Sequence, residues 1–500
     1  MNQLNSQSFP ELLIISRNGQ DHPMWQSMAG QLLEQGIYFE FHDKPDLPTD
    51  RRPYKAILFD DLGQDPPLEE YFSQGGVALC LKHLPDKVSR DADTYYEDYV
   101  FYNLFNYQQS EFIIEHADLT RRHPVMERLQ LDRSDETILS EMRDVLLQYL
   151  TKKIGWDETV LHAGKAAISV IDTYDDEELR QTLIMKLNEL GKSMVSSIPY
   201  SDNKLAGLYM TIWLKNQTGA EEPMKKAREM LDQVIARRVR TMGVLNISGM
   251  VDDPLGKGCL DEPCGKLKKK IFPSWSAYQT AALHKVNWTD SLHLHGPALA
   301  AMSRETNDLR YLNEALALIR HVGKYHVDTD GLVFHGTRDG KGFTAKWGRG
   351  HTHALLGMLY VLEEMPSKHL DRSMILGLIE KIGRGLKKHQ DPATGLFHNV
   401  IDNPQSRLES SCTANIVYVY SRCINAGWLS AEVFGQMCLS GWEGIKRVYW
   451  KGGLGASCVG TQPAGPTFYL GRPQGWGMTC HGLMAGIEVK HMRESLKNGE

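Results

Sequence analysis

A mainly helical fold is predicted for this chain: an (α/α)6 toroid, or six-hairpin barrel, preceded by a small α/β domain with a parallel sheet. Two observations carry the barrel. From about residue 159 to 489, apolar residues recur at helical spacing in runs of roughly 12–18 residues, separated by loops carrying Gly, Asp and Trp. Two of those loops are alike: Asp328-Thr329-Asp330-Gly331-Leu332-Val333-Phe334-His335 and Asp391-Pro392-Ala393-Thr394-Gly395-Leu396-Phe397-His398. Each follows a helical run and reads Asp, turn residues, Gly-Leu, then an aromatic and His. A period of about sixty residues across this segment gives about six helix pairs, enough to close a ring. A closed ring gathers the loops of one end into a single cleft.

The α/β prediction rests on texture. Within residues 1–130, short apolar runs at 11–16, 37–41, 56–59 and 76–80 are separated by polar or Pro-bearing stretches and one helix-like run at 24–35. The pattern resembles, at the level of fold, the amidotransferase-like (ThuA-like) α/β domains. Cys80 lies inside an apolar run and reads as a buried thiol, not as a nucleophile. Residues 131–158 read as a helical connector, with the helix over 135–153, and residues 159–500 as the barrel. Within the barrel the periodicity predicts helices over 179–194, 206–214, 223–240, 311–322, 353–364, 374–389, 414–426 and 431–448.

Composition narrows the function. The 500 residues exceed one ordinary core. A hydrophobic fraction of 42% and a net charge of −6 describe a globular protein without the basic surface that nucleic acid or an anionic membrane calls for. No basic-then-apolar leader opens the chain and no apolar run spans a bilayer, so a cytoplasmic protein is expected. The eight cysteines are scattered, which fits reduced thiols; Cys259 and Cys264 lack the spacing of a zinc knuckle.

Chemistry concentrates in Trp288-Thr289-Asp290-Ser291-Leu292-His293-Leu294-His295-Gly296-Pro297, where a Gly-Pro step opens an apolar run over 298–302. A carboxylate beside two histidines and an indole offers a proton donor, hydrogen-bond donors and a face for a pyranose. The other reading of Asp290 is the cap of the following helix, and the two roles largely exclude each other.

The segment from about 159 to 489 resembles the unsaturated glucuronyl and rhamnogalacturonyl hydrolases of glycoside hydrolase families 88 and 105, with family 105 the closer. The resemblance rests on Trp288-x-Asp290-x-Leu292-x-x-x-Gly296-Pro297, Gly331-Leu332-x-x-His335, Trp347-x-Arg349, Thr394-Gly395-Leu396-Phe397, Leu408-Glu409-Ser410-Ser411 and Cys458-Val459-Gly460-Thr461. Tyr469, Arg472-Pro473, His481-Gly482 and Ala485-Gly486-Ile487-Glu488 follow in order. The resemblance implies removal of a 4,5-unsaturated uronic acid from the non-reducing end of a lyase-generated oligosaccharide, with no cofactor and no metal. It implies Asp290 as the catalytic acid and base, and Asp202, at the head of a helix, as the second site aspartate. It implies Arg349 as the grip on the substrate carboxylate, where a guanidinium offers two parallel hydrogen bonds. His335, Trp347, Trp476 and His481 would line the cleft, Trp476 from a loop and His481 on the same rim; Trp442, on a helical face, reads as core.

The chain also departs from that pattern. His353 stands where the family has a stacking Trp, in Arg349-Gly350-His351-Thr352-His353, and His293 and His295 stand where Tyr and Gly are usual. An imidazole exchanges stacking area for directional hydrogen bonding or proton transfer. His293, His295, His351 and His353 are thus expected at the substrate, and as neutral imidazoles they are also candidate ligands for a transition ion. The excess over 241–271 reads as a lid or an oligomer contact, which leaves homo-oligomerisation open. Two further readings remain at this point: another (α/α)6 carbohydrate enzyme, either a saturated-glycoside hydrolase or a His-based sugar epimerase or isomerase, and a non-catalytic carbohydrate-binding protein.

Overall fold

The computed structural model describes, in the first 133 residues, five strands only; beyond them it describes residues 134–152, 157–196, 202–250, 286–342, 344–404, 406, 408–450, 453–454 and 475–498. Side chains are described from residue 134 on, with gaps. Cys259, Cys264, Cys458, Tyr469 and Arg472, and the side chains of Cys80, Asp202 and Trp476, lie outside the described residues.

The five strands are β1 (Leu12–Ile15), β2 (Phe39–His42), β3 (Ala56–Asp60), β4 (Ala78–Leu81) and β5 (Phe112–Glu115), in the sheet order β2-β1-β3-β4-β5. The first four lie parallel, at the four apolar runs expected. The sheet is not purely parallel, however, because β5 runs antiparallel to β4 and pairs Phe112 with Leu81. β5 has three apolar residues, Phe112, Ile113 and Ile114, in a polar stretch, too few to stand out by periodicity. An antiparallel edge on a parallel sheet is a common arrangement.

Among the described residues, twelve α-helices make up the rest: α1 (Asp135–Lys152), α2 (Asp157–Thr173), α3 (Glu177–Ser196), α4 (Asp202–Thr218), α5 (Glu221–Arg237), α6 (Asp290–Thr306), α7 (Leu309–His321), α8 (Gly348–Glu364), α9 (Arg372–Leu386), α10 (Ser410–Asn425), α11 (Ala431–Val448) and α12 (Gly475–Asn498). The even-numbered helices pack in sequence, α2 on α4, α4 on α6, and so on to α12, which returns to α2. That ring is the (α/α)6 toroid. The odd-numbered helices lie outside it, and α1, within the stretch expected as a connector, is one of them, packed on α12. Its face of Ile138, Leu139, Met142, Leu146, Tyr149 and Leu150 is buried. Ion pairs Lys490–Glu136 and Arg493–Asp135 tie it to α12.

Helix positions follow from local chemistry. The Asp308 carboxylate accepts from the Arg310 amide and caps α7, and the Glu409 carboxylate accepts from Ser411 and Cys412 amides and caps α10. The repeated loops are structural equivalents. Gly331 and Gly395 both have positive φ, +89° and +76°, and a Cβ on either would collide with a backbone carbonyl of the neighbouring outer helix. α4, α8 and α10 begin four or five residues earlier than expected, and one boundary differs at the other end. The 223–240 run ends at Arg237, where the chain turns into a hairpin of β6 (Arg238–Thr241) and β7 (Val244–Met250) packed on α6 and α7. The apolar run after the Gly296-Pro297 step lies inside a helix: α6 begins at Asp290 and carries Pro297 in its interior.

Candidate active site

Asp290 is the first residue of α6, and the cap position falls to Thr289, which makes no side-chain capping bond. A strand, β8 (Val286–Trp288), delivers the chain to this point and pairs antiparallel with β9 (Gly336–Arg338). That pairing sets His335 beside the helix start: the Thr289 amide donates to the His335 carbonyl at 3.0 Å. The His335 side chain then reaches Asp290, Nε2 to Oδ2 at 2.8 Å. The Asp290 side chain is 17% exposed and that of His335 only 6%, so the acid is reachable from the cleft while its partner is held behind it.

Glycines make this approach feasible. Gly336 lies under the Trp288 ring, where a Cβ would come within 2.7 Å of indole carbon, and Gly350 lies under His335, with 2.9 Å available. Trp288 is half-buried, its ring centroid 4.7 Å from that of His335, and it presents aromatic surface beside the acid. Trp347 packs on the other side of His335, also at 4.7 Å, but is itself buried. Its indole N–H donates to Asn399 Oδ1 at 2.9 Å and the Arg349 guanidinium lies 5.8 Å from its ring centre. Trp347 is therefore a wall that orients His335 and Arg349, and Trp288 is the more open platform.

The strap carrying Trp347 and Arg349 is pinned by its neighbours. Lys346 Nζ contacts Asp328 at 2.9 Å and Asp330 at 2.5 Å, and lies 3.9 Å from Asp402, so one cation ties the first repeated loop to the segment that follows the second. The hydrogen bond from Lys346 holds the Asp328 carboxyl below the usual carboxylate range. Gly348 N donates to Asn399 O at 2.7 Å, continuing the same seam.

The extra histidines divide. His353, on α8, aims Nε2 at Asp290 Oδ1 from 3.7 Å and belongs to the site. His351 does not reach the substrate side. Its Nε2 accepts from the Val333 amide and its Nδ1 donates to the Trp347 carbonyl, both at 2.8 Å, so both nitrogens hold backbone, and burial depresses its proton affinity to a pKa of about 4. His295 is fully buried, its Nδ1 against the Ser291 carbonyl one turn back at 2.8 Å. His293 is also fully buried, behind His353, their rings 5.2 Å apart. His481 lies still deeper, on α12 and not on the rim. Trp476 belongs to the first turn of α12, not to a loop. Asp202 begins α4, as expected of a residue at the head of a helix.

His162 on α2 was not anticipated. Its ring stacks on His293 at 5.1 Å and meets His481 edge-on at 4.0 Å. Its one signal in the sequence is a histidine set within an apolar helical face. Asn399 and Lys346 were equally unmarked. Four histidines on four different inner helices thus form a buried row, but among the described residues no three His, Cys, Asp or Glu side chains are placed to share a metal ion. Trp442 is fully buried in the core, as its helical face suggested, and Cys412, Cys423, Cys438 and Cys480 are buried and not joined in disulfides.

Comparison with known proteins agrees with this architecture. Residues 130–492 match the family described as Glycosyl Hydrolase Family 88, well over half of the chain. Two unsaturated 3S-rhamnoglycuronyl hydrolases are similar at 24% identity: one from Alteromonas sp. (strain LOR), over 289 residues, and one from Formosa agariphila, over 235. The aligned parts cover 55% and 41% of this chain and only 64% and 58% of those relatives. In fold, the chain is similar to a possible member of glycoside hydrolase family 105 from Salmonella enterica, with a TM-score of 0.57 and 18% identity over 76% of this chain and 98% of that one. It is likewise similar to a family 105 glycoside hydrolase of C. acetobutylicum, with a TM-score of 0.54 and 18% identity over 70% and 99% of the two chains.

Proposed function

The chain belongs to Glycosyl Hydrolase Family 88, and from that premise we propose that it removes a 4,5-unsaturated uronic acid from the non-reducing end of a lyase-generated oligosaccharide. The observation that carries the reading is the Asp290 carboxyl, partly open to the cleft, backed by His335 and flanked by Trp288 and by the Trp347–Arg349 strap. The two 3S-rhamnoglycuronyl hydrolases point to the same class of substrate.

In this reading Asp290 donates its proton to C4 of the vinyl ether, water adds at C5, and the resulting hemiketal opens to release the aglycone. The reaction needs one protonated carboxyl beside the double bond and a cation for the substrate carboxylate. Arg349 supplies the cation, Trp288 the surface for the ring, and Asp202 a second carboxylate for water or hydroxyls. Family membership and substrate chemistry favour this over isomerisation, in which no bond to an aglycone breaks.

The test follows ultraviolet absorbance of the conjugated double bond during incubation with a panel of unsaturated disaccharides. Loss of absorbance by the wild type, abolished in Asp290→Asn with binding retained, is the expected result. A flat trace on every substrate from folded protein sinks the proposal.

A further inference from the structure

The two oxygens of Asp290 meet different surroundings. Oδ2 is hydrogen-bonded to His335 Nε2 at 2.8 Å, whereas Oδ1 lies 3.7 Å from His353 Nε2. The second separation is too long for a direct hydrogen bond. One water oxygen, set to the side of the line between them, can reach both groups.

The His353 ring is firmly held. Trp347 lies at 6.1 Å on one side and His293 at 5.2 Å on the other, and His293 is itself backed by His162 and His481. The row continues to Asn415, whose Nδ2 lies 3.1 Å from His481 Nδ1. His162, His293, His353 and His481 come from α2, α6, α8 and α12, so four inner helices fix the direction in which His353 points.

We propose that His353 is a catalytic residue that holds the attacking water against Asp290 Oδ1. The inference rests on the unsaturated-uronyl reading above and adds to it the place of the nucleophile. With His335 in the tautomer that donates from Nε2, Oδ2 accepts that bond and the acid proton resides on Oδ1. It passes to C4 as the C4–H bond forms and positive charge develops at C5. The water oxygen bonds to C5, and the proton it sheds returns to Asp290. His353 orients that oxygen throughout and ends unchanged, so atoms and charges balance without any further reactant.

The experiment combines crystal structures of the substrate-free wild type and His353→Phe with kinetics of both, and of His353→Gln, on an unsaturated disaccharide. An ordered water bridging Asp290 Oδ1 and His353 Nε2 is expected, absent from His353→Phe while Asp290 and His335 keep their places. The kcat of His353→Phe should fall about 100-fold with KM nearly unchanged, and His353→Gln should recover part of it. A wild type without the bridging water, or a His353→Phe variant that keeps kcat and raises KM, overturns the proposal and makes His353 a wall for the sugar. A wild type silent on every unsaturated disaccharide, with the water in place, overturns the substrate reading and leaves the water site standing.

Discussion

His335 Nε2 sits 2.8 Å from Asp290 Oδ2, although 45 positions separate the two residues along the chain. The contact is built from both ends. The β8–β9 pairing and the bond from the Thr289 amide fix the backbone of His335, and Trp288 and Trp347 pack against its ring. A carboxyl placed at the start of a helix would otherwise be drawn to the free amides there.

Removing the imidazole should therefore release the acid. His335→Ala is expected to lower kcat about 10–100-fold, because a misplacement of about 1 Å at a reacting group costs on that order. His335→Gln, which can still donate, should lose less. Equal losses in the two variants would show that the hydrogen bond is not what matters.

Lys346, just ahead of Trp347 and Arg349, contacts two carboxylates of the first repeated loop and lies near a third, Asp402, just past the second. Lys346→Met keeps the stem and removes the charge. Its largest expected effect is on KM, which should rise several-fold as the arginine strap loosens, with a cost in stability of about 1–3 kcal/mol. Steady-state kinetics and denaturant titration on one preparation read both; a KM equal to that of the wild type contradicts the pinning role.

Glycine substitutions separate close packing from strain. Gly395 and Gly427 both have positive φ, +76° and +69°, but a Cβ at Gly395 would lie 2.0 Å from the Ser440 carbonyl oxygen, and one at Gly427 meets nothing within 4 Å. Gly427→Ala should cost about 1–2 kcal/mol, the strain of the left-handed conformation, and Gly395→Ala distinctly more. Matched thermal melts test this, and similar losses at the two sites would falsify the packing argument.

Acid sensitivity follows from three buried imidazoles. Burial lowers His326 from 6.5 to about 3, and His321 and His351 from 6.5 to about 4, so the folded protein keeps all three uncharged in mild acid. The unfolded chain takes up those protons below about pH 6.5. Stability should then be flat above that value and fall as pH drops toward 4, by up to about 1.4 kcal/mol per pH unit for each histidine. Urea titrations at intervals from pH 7 to 4 should show a shallower fall for His351→Asn than for the wild type.

Much of this was readable from the residues. The barrel was legible because its repeat is imposed by backbone geometry: Gly331 and Gly395 mark the places where a positive φ and a close carbonyl admit no side chain. Asp290, His335, Trp347, Arg349 and His353 do converge at one end. The reading failed where spacing along the chain misstates direction. His293, His295 and His351 look like site residues in one dimension, yet a helix turns 100° per residue and sends them inward or onto backbone one turn away. α1 read as a linker because its polar face dominates its composition, while its apolar stripe is recognisable only once α12 lies against it.

The closure of the ring between α2 and α12 also bears on how the protein is made. Lys490–Glu136 and Arg493–Asp135 join residues 354 and 358 positions apart, and α12 leaves the ribosome after every other described helix. Long loops cost little at equilibrium, about 0.6 kcal/mol for each doubling of length, but contacts so distant in sequence form slowly. Until α12 arrives, the nascent chain is an open crescent with the apolar flanks of α2 and α10 uncovered. A translation pause just short of residue 475 would hold it in that state, the stage at which chaperone engagement and aggregation compete for the chain.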